Sequence, residues 1–329
     1  MNEQQLENIG ADERPDLTVV VVSYNTKLLL DRMFDALIAA RGNLRIQTIV
    51  VDNASRDGSV EFLRANYPDV ELIENSVNVG FGRANNQAIA QARGRYILLL
   101  NTDAFVASDT LLKTIEFMEA NPRCGVLGVK LVGPDGSLQP SCRYFPTPWS
   151  VFLNSTGLMR LSPWTRLVDD MSWDHNSVRT CDWVPGCYYL IRREIVERVG
   201  MFDPRYFLYF EEVDHCRRVR QAGWDIIYYP FTQVVHIGGE SAKSEGPLKE
   251  ISRQISLLQI ESELLYFRKY FGMSGVLASV LLTTFANTAT AVRQGLLRRN
   301  LNRSRAALLN IRLTVGSLVA TRFASRPTR

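Results

Sequence analysis

Residues Leu17-Thr18-Val19-Val20-Val21-Val22-Ser23-Tyr24-Asn25 open on an uncharged, β-branched run and close on three polar side chains. Such a run without polar alternation fits a strand buried on both faces. Outward from it, Leu28, Leu29, Met33, Leu37 and Ile38 recur at helical spacing until Gly42. Residues 46–51 repeat the strand pattern, followed by a turn over 52–58 and a short helix to Asn66. An extended run at 70–73, a helix over 83–92 and a strand over 96–100 continue the alternation. The pattern predicts an α/β fold, with a Rossmann-like, mostly parallel central sheet and helices on both faces. In such sheets ligands sit beyond the carboxyl ends of the strands. That rule selects Ser23-Tyr24-Asn25, Asp52-Asn53-Ala54-Ser55 and Asn101-Thr102-Asp103, each a polar cluster directly after an apolar strand.

Bulk properties agree with a globular protein of 329 residues, 46% hydrophobic and 22% charged. The first 16 residues are polar and acid-rich, without the basic start and apolar run of a secretory signal. Five cysteines form no Cys-x-x-Cys pair, which points to free thiols in a reducing compartment rather than to zinc or disulfides. Residues 134–179 are rich in Pro, Trp and Ser with weak periodicity and read as long loops. Order returns at Trp183-Val184-Pro185-Gly186-Cys187, with a strand over 188–191, a helix over 193–199, another within 207–223 and a strand over 224–230. His236 is expected just beyond that strand, in a Gly-containing loop.

Three groups carry candidate chemistry. Asp103 at a strand's carboxyl end suits a hard divalent cation that also binds phosphate oxygens, or else caps a helix starting near Ser108. Glu211, Glu212 and Asp214 follow the aromatics Phe207, Tyr209 and Phe210. Helix-dipole stabilisation explains an acidic first turn, and Asp214 has Arg217 or Arg218 within helical reach. Low-polarity surroundings would instead raise proton affinity and make a general base. His236, one of three histidines, is either a structural hydrogen-bonder or a partner of Asp103 in holding a metal. Asp52 either closes an Asx turn or accepts a pyrimidine ring N–H. Asn78-Val79-Gly80 is either turn chemistry or a close backbone approach to a ligand.

Taken in order, Val19 to Asn25, Val50 to Ser55, Asn78 to Phe81 with Asn85 and Asn86, Leu99 to Asp103, Gly200 to Asp203, Tyr209 to Cys216 with Arg218, Gly223-Trp224 and His236 form a series. It resembles the family 2 glycosyltransferases of the GT-A fold, in their bacterial rhamnosyltransferase-like branch, over about residues 17–240. The resemblance implies a metal-dependent, inverting sugar transfer with Mg2+ or Mn2+ as cofactor. Asp103 matches the last aspartate of an Asp-x-Asp-like motif whose first position is Asn101, and His236 would share the metal. Asp52 matches the base-recognising aspartate. Ser23, Tyr24, Asn25, Asn53, Ser55, Asn78, Gly80, Asn85, Asn101 and Thr102 are expected to line the nucleotide-sugar site with it. Glu212 stands where the family carries its catalytic base, as Glu for the usual Asp, so Glu211 and Asp214 remain alternatives. Trp183, Gly186 and Cys187 would contact the acceptor. The implied donor is a dTDP- or UDP-sugar, with dTDP-rhamnose favoured, and the implied acceptor a lipid-linked saccharide facing the cytoplasm in cell-surface polysaccharide assembly.

Residues 241–329 form a basic C-terminal region. Eleven Lys and Arg follow Glu263 with no acid among them, so of the net +4 the preceding part carries −7. Residues 273–292 lack any charge, yet Ser279, Thr283, Asn287 and Thr290 share one helical face. Arg298, Arg305 and Arg312 recur at seven-residue spacing opposite Leu308, Val315 and Leu318. Basic amphipathic helices of this kind lie on anionic membrane surfaces, here the inner face of the cytoplasmic membrane. Packing on the catalytic domain or on a second copy in a homodimer is the alternative. Nucleic acid is disfavoured, because few aromatics interleave the arginines. A nucleotidyltransferase would carry a Gly-rich basic loop after the first strand, where Ser23-Tyr24-Asn25-Thr26 stands. A processive synthase would carry Gln-x-x-Arg-Trp, which Gln221-Ala222-Gly223-Trp224 does not match. A non-catalytic nucleotide-sugar-binding or assembly subunit is the rival from another class, supported by the Glu-for-Asp change.

Overall fold

The computed structural model describes residues 14–158, 165–166, 168–238, 248–297 and 300–329. The polar tail up to residue 13, the 240/241 boundary and Arg298 lie outside them. The first half follows the expected alternation: β1 (Leu17–Ser23), α1 (Lys27–Ala40), β2 (Ile46–Asp52), α2 (Ser59–Asn66), β3 (Glu71–Glu74), α3 (Phe81–Ile89) and β4 (Tyr96–Leu100). Then come β5 (Ala104–Val106), α4 (Thr110–Ala120), β6 (Cys124–Val132), β7 (Leu138–Gln139), α5 (Pro148–Thr156), β8 (Arg179–Cys181) and β9 (Tyr188–Arg192). The chain continues through α6 (Arg193–Val199), α7 (Glu211–Gln221), β10 (Asp225–His236), α8 (Leu248–Val292) and α9 (Leu301–Ala320).

The sheet runs in the order β3-β2-β1-β4-β9-β6-β10-β5, with β7 beside β6 and β8 beside β10. β1 is parallel to both β2 and β4, and β2 to β3, so this half of the sheet is all parallel. β9 runs antiparallel to β4 and β6, while β10 returns parallel to β6. Val19, Val20 and Val21 are each fully buried, alternating between the two faces. Each such side chain contributes about 1.5–3 kcal/mol of burial. One face packs on α1, α2 and α4, and the other on α3, α6 and α7.

Two expectations need adjustment here. The strand foreseen to end at Pro230 continues to His236, so His236 terminates a strand rather than sitting in the following loop. The register with β6 slips between Tyr229 and Gln233, and Pro230 falls in that bulge, where its missing N–H interrupts no ladder bond. The region foreseen as loops contains α5, begun by a capping box in which Thr147 Oγ1 accepts the Ser150 N–H at 3.0 Å.

α8 is two helices joined at Gly272, whose φ of 65° and ψ of −159° break the helical ladder. Leu265, Tyr266 and Phe267, ahead of the break, are buried in the same core as Val213 and Tyr189. After it, Phe152 and Leu153 of α5 pack against Ala286. Residues Ser256–Leu296 are long and apolar enough to cross a membrane by length and composition. All five cysteines are buried and free.

Candidate active site

The ends of β1, β2 and β4 form one rim. Ser23 and Asp52 are register partners, and with β4 on the other flank of β1 the ends of β2 and β4 lie about 10 Å apart. Asp52 is buried: Oδ1 accepts the Ser55 N–H at 2.9 Å, closing the Asx turn, and Oδ2 has no partner. A buried carboxylate oxygen left bare costs about 1–3 kcal/mol, so a donor from a ligand suits it. Asn25, at φ 51°, donates its N–H to Ser55 Oγ and accepts that of Arg56, which locks the two loops together. Tyr24 is half-buried between them and Ser23 hydroxyl meets Thr26 hydroxyl at 3.2 Å.

Asn53 organises the next loop. Its Nδ2 donates to Asn78 Oδ1 at 2.8 Å, while its Oδ1 accepts from Asn75 Nδ2 and the Val79 N–H. The close approach at Gly80 is made by the chain's own backbone: at φ 90°, an added Cβ would stand 2.5 Å from Phe207 O. That carbonyl accepts the Phe81 N–H at 2.8 Å, tying α3 to the segment before α7. Asn85 is turned into its own helix, donating to Phe81 O, whereas Asn86 clamps the Phe202 backbone through both amide atoms.

Asn101, Thr102 and Asp103 make the turn after β4. The Asn101 N–H donates to Cys187 O, and Thr102 and Asp103 are buried. Asp103 does not cap the next helix, which begins at Thr110 after Asp109; its Oδ2 accepts the Gly238 N–H at 3.1 Å. Its Oδ1 lies 3.5 Å from His236 Nε2. His236 Nδ1 is 2.9 Å from Gln139 Oε1, and Gln139 Nε2 donates to His236 O at 2.8 Å. That second bond fixes Oε1 as the acceptor, so Nδ1 carries the proton and Nε2 offers a lone pair. Burial lowers the imidazole's proton affinity, partly opposed by Asp103, which favours the neutral ring. A lone pair facing a carboxylate is unfavourable without a cation between them, and an imidazole oriented by its other nitrogen is the usual ligand arrangement. The pair fits a divalent cation, although no group of three such side chains occurs among the described residues. Phosphate oxygens and water would complete the shell of a hard cation.

Facing this rim is the start of α7. Tyr209 and Phe210 both adopt left-handed φ, near 70°, at about 1–3 kcal/mol each for non-glycine residues. Glu211 and Glu212 follow, each with a buried Oε2 that lacks a partner. Burial raises the pKa of Glu212, while the Arg143 guanidinium and the Gly186 N–H oppose the rise. Burial and the charge of Glu212 push Glu211 well above the carboxylate range. Cys187 lies between the two halves: after burial, the carboxylates of Asp103 and Glu212 both push its thiol up. Of the three acceptor candidates, Gly186 borders Glu212. Trp183 and Cys187 are buried, with the indole N–H bonded to Tyr144 O and Arg143 stacked 4.3 Å from the ring. Asp214 points away from the cleft, fully buried and paired with Arg218 at 2.9 Å and Lys269 at 2.5 Å. Gln139 and Arg143, which border the candidate site, lie outside every motif in the sequence.

The parallel strands that end on this polar rim, with β9 reversed beside β4, have the architecture of the GT-A fold of glycosyltransferases, as the comparisons bear out. The family profile described as "Glycosyl transferase family 2" matches residues 18–200. An N-acetylglucosaminyl-diphospho-decaprenol L-rhamnosyltransferase of Mycobacterium tuberculosis is 30% identical over 233 residues, 67% of this chain and 75% of that protein. Rhamnosyltransferase WbbL of Escherichia coli K12 is 27% identical over 69% of this chain and 85% of its own. Among solved structures, the Pyrobaculum calidifontis mannosyltransferase PcManGT, in complex with GDP-Man and Mn2+, superposes with a TM-score of 0.56. It is 16% identical, with 98% of this chain and 93% of that one covered, a likeness of fold. S. aureus TarS 1-349 gives 0.50 at 14% identity over 93% and 91%. This chain belongs to glycosyl transferase family 2.

Proposed function

We propose that this enzyme moves rhamnose from dTDP-rhamnose to a hydroxyl of a lipid-linked saccharide in cell-surface polysaccharide assembly, using Mg2+ or Mn2+. The observation that carries the reading is the unpaired Glu212 Oε2, buried at the cleft opposite the Asp103–His236 pair. Asp52 Oδ2 accepts the ring N–H of the pyrimidine, and Asp103 with His236 would hold a divalent cation, which when bound would supply charge neutralisation for the departing diphosphate. Glu212 takes the proton of the acceptor hydroxyl as its oxygen attacks the anomeric carbon, with inversion and no covalent enzyme intermediate. Glu211 is the neighbour that shares its buried surroundings, and Asp214 is structural. The rhamnosyltransferase names of the relatives support the donor, and the decaprenol-linked name supports the acceptor.

The enzyme works as a peripheral protein on the cytoplasmic face of the membrane. Its C-terminal helices bury one apolar face among themselves and leave a second one exposed. Ser279 is buried against Glu263 while Leu277, Leu281 and Phe285 stand exposed as a stripe. On α9, Leu308 and Val315 are exposed and Leu318 alone of the expected apolar face turns inward. Exposed arginines flank this surface and no acid follows Glu263, which favours anionic lipid over a second copy.

The test is a donor screen with purified protein and Mn2+ or Mg2+ across uridine-, thymidine- and guanosine-linked sugars, with and without a prenyl-diphosphate saccharide. Metal-dependent turnover of dTDP-rhamnose, lost in Glu212→Gln, is expected. Nucleotide-sugar binding without turnover in the presence of acceptor would favour the non-catalytic subunit. Co-sedimentation with anionic vesicles, lost in Leu281→Glu/Phe285→Glu, tests the membrane surface, and a dimer masking those residues would contradict it.

A further inference from the structure

The helix that presents Glu211 and Glu212 is held from behind by α8. Asp214 accepts from Lys269 Nζ at 2.5 Å and from Tyr270 hydroxyl at 2.8 Å, both on α8. Lys269 also reaches Asp203 Oδ2 at 2.9 Å, in the loop that Asn86 clamps through Phe202. Further back on α8, Ser262 Oγ donates to Leu208 O at 2.8 Å, and the Tyr266 ring lies 5.3 Å from Phe210. These contacts bracket Tyr209 and Phe210, the two residues in left-handed conformation immediately before the acidic pair. A backbone of that kind persists only when its surroundings over-determine it. The donor side contributes a restraint through Phe207 O on the Phe81 N–H, and α8 contributes the contacts of Ser262, Tyr266, Lys269 and Tyr270.

We propose that Lys269 is a positioning residue for sugar transfer: by binding Asp214 and Asp203 together it fixes the start of α7, and hence the Glu212 carboxylate, relative to the donor. The proposal rests on the reading of Glu212 as the base. Lys269 acts through Asp214 and touches neither Glu211 nor Glu212 among its hydrogen bonds and ion pairs. Asp214 keeps an ion-pair partner without it, because Arg218 remains bound at 2.9 Å and also reaches the carbonyls of Val199 and Met201. Loss of Lys269 therefore leaves a compensated, folded α7 that is free to tilt at its first turn. Misplacing a catalytic group by about 1 Å costs on the order of 100-fold in rate. The donor loops around Asp52 and Asn53 share no partner with Lys269, so donor binding is spared.

The test uses the full chain with Lys269→Ala, Lys269→Arg and Tyr270→Phe. Hydrogen exchange is followed over residues 207–213 and 52–58, with Mn2+-supported dTDP binding and donor turnover measured alongside. In Lys269→Ala, exchange over 207–213 rises while 52–58 is unchanged, and kcat falls by about 10–100-fold with donor KM and dTDP affinity within about two-fold. Lys269→Arg recovers most of kcat, and Tyr270→Phe shows the same pattern more weakly. Unchanged exchange and kcat, or a matching rise in donor KM and dTDP dissociation constant, overturns the proposal. If Lys269→Ala does not fold, Tyr270→Phe decides by the same readouts. If the native chain turns over no donor, the transferase reading fails, and exchange over 207–213 still decides whether Lys269 restrains the helix start.

Discussion

Nε2 of His236 faces Oδ1 of Asp103 across 3.5 Å, with the imidazole proton committed on the other side to Gln139. Gln139 therefore sets which nitrogen is offered to a cation. Gln139→Leu should weaken Mn2+ affinity in the dTDP complex by about 10-fold or more, as loss of an orienting partner does. Calorimetry of Mn2+ into the dTDP-saturated protein measures this, and an unchanged affinity would remove the orienting role. Asp103→Ala should abolish the Mn2+ response altogether.

Asp52 offers one bare, buried oxygen while its other oxygen closes a turn. Asp52→Asn can keep the turn through its carbonyl oxygen but presents an amide where the base N–H would donate. Binding of dTDP and UDP should fall about 10–100-fold, the scale of a hydrogen bond to a charged group. Equal affinity for dTDP and CDP in the native protein would contradict base recognition at this site.

Burial raises the pKa of Glu212 above 4.5, and Arg143 is the nearby charge that restrains the rise. The carboxylate is the active form, so kcat/KM should climb with pH through that raised pKa. Arg143→Gln removes the restraint and should shift the acid limb to higher pH, while Glu212→Gln should remove activity at every pH. A pH–rate profile resolves both, and an acid limb that moves downward in Arg143→Gln would contradict the assignment.

The approach of Phe207 requires a glycine at position 80. Gly80→Ala places a methyl group 2.5 Å from that carbonyl at a φ of 90°. Denaturant titration should show a loss of about 1–3 kcal/mol from backbone strain alone, with more from the clash. A midpoint equal to that of the native protein would mean the two segments are not held together.

The doubly buried strands were legible because Val19 to Val21 and Leu98 to Leu100 carry no polar alternation. Their polar followers, from Ser23 to Asp103, came with them. Direction was not legible: the apolar run Tyr188–Arg192 reads the same whether β9 is parallel or reversed. Pro230 concealed the second half of β10, since a bulge that tolerates proline leaves no mark in composition. The capping box at Thr147 and Ser150 was a local signal that the weak periodicity around it obscured. Gln139 and Lys269 act on partners 97 and 55–66 positions away, Asp214 and Asp203 in the latter case, and no local pattern announces them.

The reversal of β9 has an engineering consequence. Leu100 pairs with Tyr188, so after threading β5 to β8 elsewhere in the same sheet the chain returns beside the end of β4 88 positions later. Insertions or exchanges within 134–178 begin and end on one side of that seam, and β1 to β4 need not move to absorb them. Grafting this segment between homologous chains should exchange the contacts made by Gln139 and Arg143 while the loops at Asp52 and Asn53 keep their geometry.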